Sequence, residues 1–184
     1  MLKELQTDLG SSGYAGQILQ RPSPEEGAII KKAWFRFFSY DDLTRLMLDV
    51  DPDAEDPVGS LPRYFYTDTG YGKESSDNSA TICYSVFQGI IYVWDVWVTN
   101  LPFPEFKKDY IDYIMSHGYT DYSMCRFEPK ASGISTVQEL ESTVLSDGRR
   151  INVVEDDPPK DSKITRATSV SPIIEAGRVR LHRS

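Results

Sequence analysis

The sequence predicts an α/β domain on a mixed sheet, in which three antiparallel strands are followed by parallel ones and helices flank the whole. Three observations predict it. Aromatic and β-branched runs of period two cover residues 63–68, 79–88 and 90–99. The apolar period then switches to 3.6 from Phe103 onward, and strand-like runs return after that helix at 122–128 and 151–154.

Residues 1–60 read as a lead-in and residues 61–184 as the main domain. The lead-in holds Gly10-Ser11-Ser12-Gly13, an aromatic cluster at Trp34-Phe35-Arg36-Phe37-Phe38, and an acidic, proline-bearing stretch from Asp49 to Gly59. That stretch lacks periodicity and the glycine and terminal glutamate of an EF-hand, so it reads as a solvated loop. A tight turn at Gln88-Gly89 joins the second and third strands. Phe103, Phe106, Tyr110, Tyr113, Ile114 and His117 fall on one helical face, with Pro104 in the first turn and Gly118 placed to end the helix. A strand that follows such a crossover should run parallel to a strand of the meander. Ile134, Val137, Leu140, Glu141 and Val144 predict a second helix. Residues 162–170 predict a third, interrupted at Pro172, and Gly177 to Leu181 a last short strand.

Composition bounds the function classes. With 184 residues, 40% hydrophobic and 26% charged, the chain suits one ordinary soluble domain plus a lead-in. No apolar run approaches the roughly 20 residues of a membrane helix, and the first thirty residues lack the apolar core of a signal peptide. A cytoplasmic protein without membrane partners is expected. Cys83 and Cys125 lie in apolar strand runs and read as buried hydrophobes, since neither CxxC nor a His cluster accompanies them. His117 and His182 have no sequence neighbour that would make a catalytic base. The net charge of −8 argues against a protein that coats nucleic acid. Residues 1–125 carry 10 Lys/Arg against 19 Asp/Glu, whereas residues 126–184 carry 10 against 9, so the basic share follows the later strands.

Chemistry concentrates on two acids. Asp68 closes the strand Tyr64-Phe65-Tyr66-Thr67, and Glu128 closes Met124-Cys125-Arg126-Phe127. Each is followed by a break, Thr69-Gly70 and Pro129. If these strands are neighbours, two carboxylates share one edge and repel unless a cation sits between them, and a divalent metal with oxygen ligands answers that need. In a two-metal site the ions lie about 3.5–4 Å apart, one activating water and the other stabilising the leaving oxygen. Mg²⁺ or Mn²⁺ is the expected cofactor. Asp77, in the loop before the second strand, is a further metal candidate, with a turn-forming role as the plain alternative. Asp95 is a weaker candidate, placed by alternation on one face with Val93 and Trp97. Gly70-Tyr71-Gly72-Lys73 is not a phosphate loop, because the spacing is short and Glu74 follows the lysine. Lys130 near a helix start, with Lys163 and Arg166 on a later helix, are candidate DNA-backbone contacts; ordinary exposed charge is the alternative.

These residues resemble the nuclease part of the large terminase subunit of tailed bacteriophages or a prophage copy of it. The resemblance rests on Gln17, Gln20-Arg21-Pro22, Pro24, Gly27 and Trp34-Phe35. It continues through Asp68-Thr69, Asp77-Asn78-Ser79, Asp95-Val96-Trp97 and Phe103-Pro104-Glu105. Glu128-Pro129-Lys130-Ala131-Ser132-Gly133 with Gln138-Glu139-Leu140 follows, then Arg166-Ala167, Ser171-Pro172, Glu175 and Gly177-Arg178-Val179. It implies an RNase H-like fold and a Mg²⁺- or Mn²⁺-dependent endonuclease cutting concatemeric double-stranded DNA, with Asp68 and Glu128 as its first and second metal-binding acids. By resemblance the partners are double-stranded DNA, the terminase ATPase domain, the small terminase subunit and the portal, in the host cytoplasm. The family's third acid would fall beyond residue 184 and its ATPase domain before residue 1, so the chain is expected to be a fragment. Where the family's commoner form has an acid after the second catalytic residue, this chain has Pro129. Two other functions compete: a catalytically silent DNA- or portal-docking module, and another RNase H-like nuclease such as a junction resolvase.

Overall fold

The computed structural model describes residues 29–70, 78–128, 134–157 and 160–183. Seven strands form one mixed sheet in the order β1-β7-β4-β3-β2-β5-β6. The strands are β1 (Arg36–Phe38), β2 (Tyr64–Asp68), β3 (Ser79–Phe87), β4 (Ile90–Thr99), β5 (Met124–Phe127), β6 (Val153–Glu155) and β7 (Val179–His182). The α-helices are α1 (Tyr40–Leu48), α2 (Phe103–Ser116), α3 (Ile134–Glu141) and α4 (Lys163–Glu175). β2, β3 and β4 are the expected antiparallel meander. β5 runs parallel to β2 and β6 parallel to β5, as the crossover predicts. The arrangement is the expected mixed sheet, antiparallel strands followed by parallel ones, flanked by helices.

Local chemistry accounts for the element boundaries. Gln88 and Gly89 have φ of 49° and 73°, the two left-handed positions that a two-residue hairpin needs to match strand twist. Gly118, at φ 79°, ends α2 where a side chain would be strained. Ser39 and Asp42 close a capping box on α1: the Ser39 hydroxyl accepts from the Asp42 amide at 3.1 Å, and the Asp42 carboxylate accepts from the Ser39 amide at 3.0 Å.

One expectation needs correction. Pro172 does not interrupt the last helix, which continues to Glu175. Proline leaves the Thr168 carbonyl without its usual amide donor, and the neighbouring Ser171 hydroxyl donates to that carbonyl at 2.9 Å instead. Residues before Leu61 also join the sheet and its packing. β1 pairs in parallel with β7, and Phe38, Leu43, Met47, Val58 and Leu61 pack with Tyr92 as a second apolar cluster. A three-residue strand is too short to show a period, so composition alone hid it.

The larger core lies between the sheet and helices α2 and α3. Phe65, Cys83, Cys125, Phe127 and Val153 face Phe106, Tyr110, Tyr113, Ile114, Val137 and Leu140. Arg63 joins this region to the second cluster. Its guanidinium is buried over the Trp94 ring at 4.3 Å and donates to the Val58 and Leu61 carbonyls and to Ser85 Oγ at 3.3, 3.1 and 3.0 Å. Burial holds its pKa below the ordinary value. The carbonyls and the indole face supply what water would have given the cation.

Arg63→Met should therefore destabilise the fold by about 2–4 kcal/mol, because the Ser85 hydroxyl and the loop carbonyls lose a charged donor. A denaturant midpoint equal to wild type would contradict this clasp. The thiols give a second test. Burial pushes Cys83 and Cys125 from 9.0 up to about 12. A raised folded pKa means that the contribution is complete below the unfolded value and is lost as pH climbs from about 9 toward 12, where only the unfolded chain releases its protons readily. Melting temperature should fall across that alkaline window, and alkylation at neutral pH should be slow until denaturant is added.

Candidate active site

The acid site begins with alternation. Along β2, Phe65, Thr67 and Thr69 are buried toward α2, so Tyr64, Tyr66 and Asp68 occupy the opposite face. Along β5, Cys125 and Phe127 are buried in the same core, so Arg126 and Glu128 share the face of Tyr66 and Asp68. The parallel register pairs Tyr66 with Arg126 and Thr67 with Phe127. The Glu128 amide donates to the Thr67 carbonyl at 2.9 Å. One step further in that register, Asp68 and Glu128 stand beside each other on strands about 4.8 Å apart.

The row continues into β6. Its register pairs Arg126 with Val154 and Phe127 with Glu155, and the Asp156 amide donates to the Phe127 carbonyl at 3.0 Å. Asp156 is therefore Glu128's neighbour on the outer side. Sequence reading passed over it, although Val153-Val154-Glu155-Asp156-Asp157-Pro158 carries the same signature of an apolar strand, an acid and a break.

Two arginines face this row. Arg126 Nη1 is 2.5 Å from Asp156 Oδ1. Arg166 Nη1, on the first turn of α4, is 3.5 Å from Glu128 Oε1, and the glutamate side chain is only 14% exposed. Tyr66 reports the local field: its hydroxyl is pushed above the ordinary value by burial first, then by Glu128, Asp156 and Asp68, while Arg166 opposes them. The strand end is anchored from below. Thr67 and Thr81 form a buried hydroxyl–hydroxyl bond of 3.0 Å, and the Gly70 amide donates to Ser79 Oγ at 3.0 Å.

Other candidate residues are distributed differently. Lys163 is the exposed first residue of α4, one turn before Arg166, above a Ser162 cap that accepts from the Thr165 amide at 3.1 Å. Asp77 and Lys130 lie outside the described residues. Asp95 is on the opposite face of the sheet from Asp68 and Glu128, opposite Cys83 in the register. A bulge beside it puts Val93 and Asp95 on different faces, so the simple alternation that grouped them fails there, although Trp97 does share its face. His117 has Nε2 3.5 Å from Asp95 Oδ2 and Nδ1 2.8 Å from the Tyr113 carbonyl, because the fold lays the end of α2 over β4.

A hard divalent cation prefers carboxylate oxygens, and Asp68 and Glu128 offer them from adjacent rigid strand ends, so the donor chemistry fits. Among the described residues, no group of three or more His, Cys, Asp or Glu side chains is gathered closely enough to hold an ion. Among the described residues, no helix is long and apolar enough to cross a membrane.

No protein-family model matches the chain, and no curated protein matches it. Solved structures do. The large terminase nuclease of thermophilic phage G20c is 15% identical over 68% of this chain and 60% of its own, with a TM-score of 0.46. The nuclease domain of the g2p large terminase from bacteriophage SPP1, with bound Mn, is 16% identical over 70% and 66%, with a TM-score of 0.42. The human cytomegalovirus terminase nuclease domain is 9% identical over 67% and 65%, with a TM-score of 0.44. A large terminase from another thermophilic bacteriophage is matched over 28% of its own length and 66% of this chain, at 12% identity and a TM-score of 0.43.

The threonine pair under Asp68 yields a double-mutant prediction. Thr81→Val should cost about 1–3 kcal/mol by leaving the Thr67 hydroxyl buried without its partner, and adding Thr67→Val should recover part of that loss. Strictly additive losses would show that the two hydroxyls do not act as a pair.

Proposed function

We propose that this chain is the metal-dependent DNA endonuclease part of a DNA-packaging terminase. One observation carries the reading: Asp68 and Glu128 stand on one face at the ends of adjacent parallel strands, tied by the Glu128 amide to the Thr67 carbonyl. Two carboxylates side by side repel, and a divalent ion with oxygen ligands offsets that repulsion. The ordered sequence resemblance to terminase nucleases supports the same reading.

On this proposal Asp68 and Glu128 hold Mg²⁺ or Mn²⁺, with Asp77 as a further ligand. When bound, the ions supply the Lewis acidity that activates water and stabilises the leaving oxygen of a phosphodiester. The chain's own residues do the rest. The sheet fixes both carboxylates on rigid strand ends, so little reorganisation is needed as charge develops. Lys163 and Arg166, one turn apart on α4, and Lys130 after Glu128, neutralise backbone phosphates of double-stranded DNA and orient it over the acids. The ATPase domain, the small subunit and the portal are the partners the terminase reading brings with it.

Nicking of supercoiled plasmid in Mn²⁺ or Mg²⁺ tests the proposal. Wild type should convert supercoiled to open-circular DNA and EDTA should abolish the conversion. Asp68→Ala and Glu128→Ala should each lower the rate by ~100-fold or more, at least the effect of disturbing a ligand's supporting contacts. Equal rates in all three proteins would remove the enzyme reading. DNA binding without metal-dependent cleavage would favour a silent docking module, and cutting confined to four-way junctions a resolvase.

A further inference from the structure

We propose that Arg166 is a positioning residue of the acid site. It neutralises Glu128 while no divalent ion is bound, yields the carboxylate when an ion arrives, and then serves the phosphate backbone. The proposal rests on the metal-dependent reading above.

The two arginines of the site differ in how they are held. Arg126, on β5, makes a short contact at 2.5 Å with Asp156, the residue directly after the neighbouring β6. Arg166 reaches down from another layer and touches Glu128 through one nitrogen at 3.5 Å. Its Nε is buried, with no hydrogen-bond partner among the described residues. A guanidinium has five donors in a rigid fork, and a purely structural clamp on a carboxylate would use two of them in parallel. Arg166 thus provides charge compensation with little bonding geometry.

The need for that compensation is local. Glu128 is largely buried, stands between Asp68 and Asp156 in the strand-end row, and cannot draw on Arg126, which is committed to Asp156. Three carboxylates in one row repel one another, and a cation close to the middle one offsets that repulsion. A divalent ion on Asp68 and Glu128 would meet the same need more strongly. Two cations on one carboxylate oppose each other, so the more loosely held one gives way. The released side chain, 38% exposed and one turn from Lys163, is then free for an anionic oxygen.

Mn²⁺ titration calorimetry and duplex binding by anisotropy test this on wild type, Arg166→Gln, Arg166→Lys and Glu128→Gln. Arg166→Gln should bind Mn²⁺ about tenfold more tightly than wild type, since a competing cation is gone, and Arg166→Lys should stay near wild type. Any loss of melting temperature in Arg166→Gln measured in EDTA should be regained with Mn²⁺. Duplex binding should fall about fivefold in Arg166→Gln when Ca²⁺ is present but match wild type in EDTA. Unchanged or weaker Mn²⁺ affinity in Arg166→Gln, a melting loss that Mn²⁺ does not repair, or equal duplex losses with and without Ca²⁺ would overturn the proposal, leaving a plain tie between helix and sheet. If wild type and Glu128→Gln both fail to bind Mn²⁺, the metal-dependent reading falls and this inference falls with it. Metal binding that Glu128→Gln abolishes but Arg166→Gln leaves unchanged sinks the arginine role alone.

Discussion

The parallel pairing of β2 with β5 is the constraint on which the rest of the molecule depends. Phe65 and Phe127, buried in the larger core, fix which face of each strand turns toward α2. The Glu128 amide on the Thr67 carbonyl fixes how far one strand slides along the other. A slip of one residue would turn Asp68 into the apolar core and Thr67 out of it, which burial of an unpaired carboxylate forbids. Packing on one face of the sheet thus sets the chemistry available on the other.

That separation of faces also sorts the charges. The face over α2 carries the aromatic stack of Trp97, Phe106 and Tyr113, and its acid, Asp95, is matched by His117 near the end of the helix. The opposite face gathers Asp68, Glu128 and Asp156 in a row, with Arg126 and Arg166 against it. Acids sit at strand ends because a side chain there can be held by the sheet and still meet solvent and ions. The two arginines moderate the row without cancelling it.

The second apolar cluster widens the scaffold on the far side of the meander. β7 adds in parallel to β4 and carries β1 with it, so residues on both sides of the meander in sequence close the same sheet edge. Phe38 packs edge-on against Tyr92 and Trp94, and Arg63 spans from that cluster to the start of β2. The strand bearing Asp68 is therefore held at both ends, by the Arg63 cage at its start and by the Thr67–Thr81 bond at its finish.

The sequence by itself determined the period of each long element, the hairpin at Gln88-Gly89, the end of α2 at Gly118 and the parallel return of β5, because these follow from alternation, turn chemistry and chain crossover. It singled out Asp68 and Glu128 since each ends an apolar strand at a break. Only the tertiary structure decided what depends on contacts distant along the chain. Phe38 belongs to a sheet strand because β7 is there to pair with it. Asp156 joins the acids because β6 docks beside β5, and Arg166 meets Glu128 because the fold brings the start of α4 against that strand end. Val93 lies on the other face from Asp95 because a bulge, which no period reveals, resets the alternation of β4 between them. Local pattern fixes which face a side chain takes within its own element, whereas partners separated by thirty or more residues are chosen by packing.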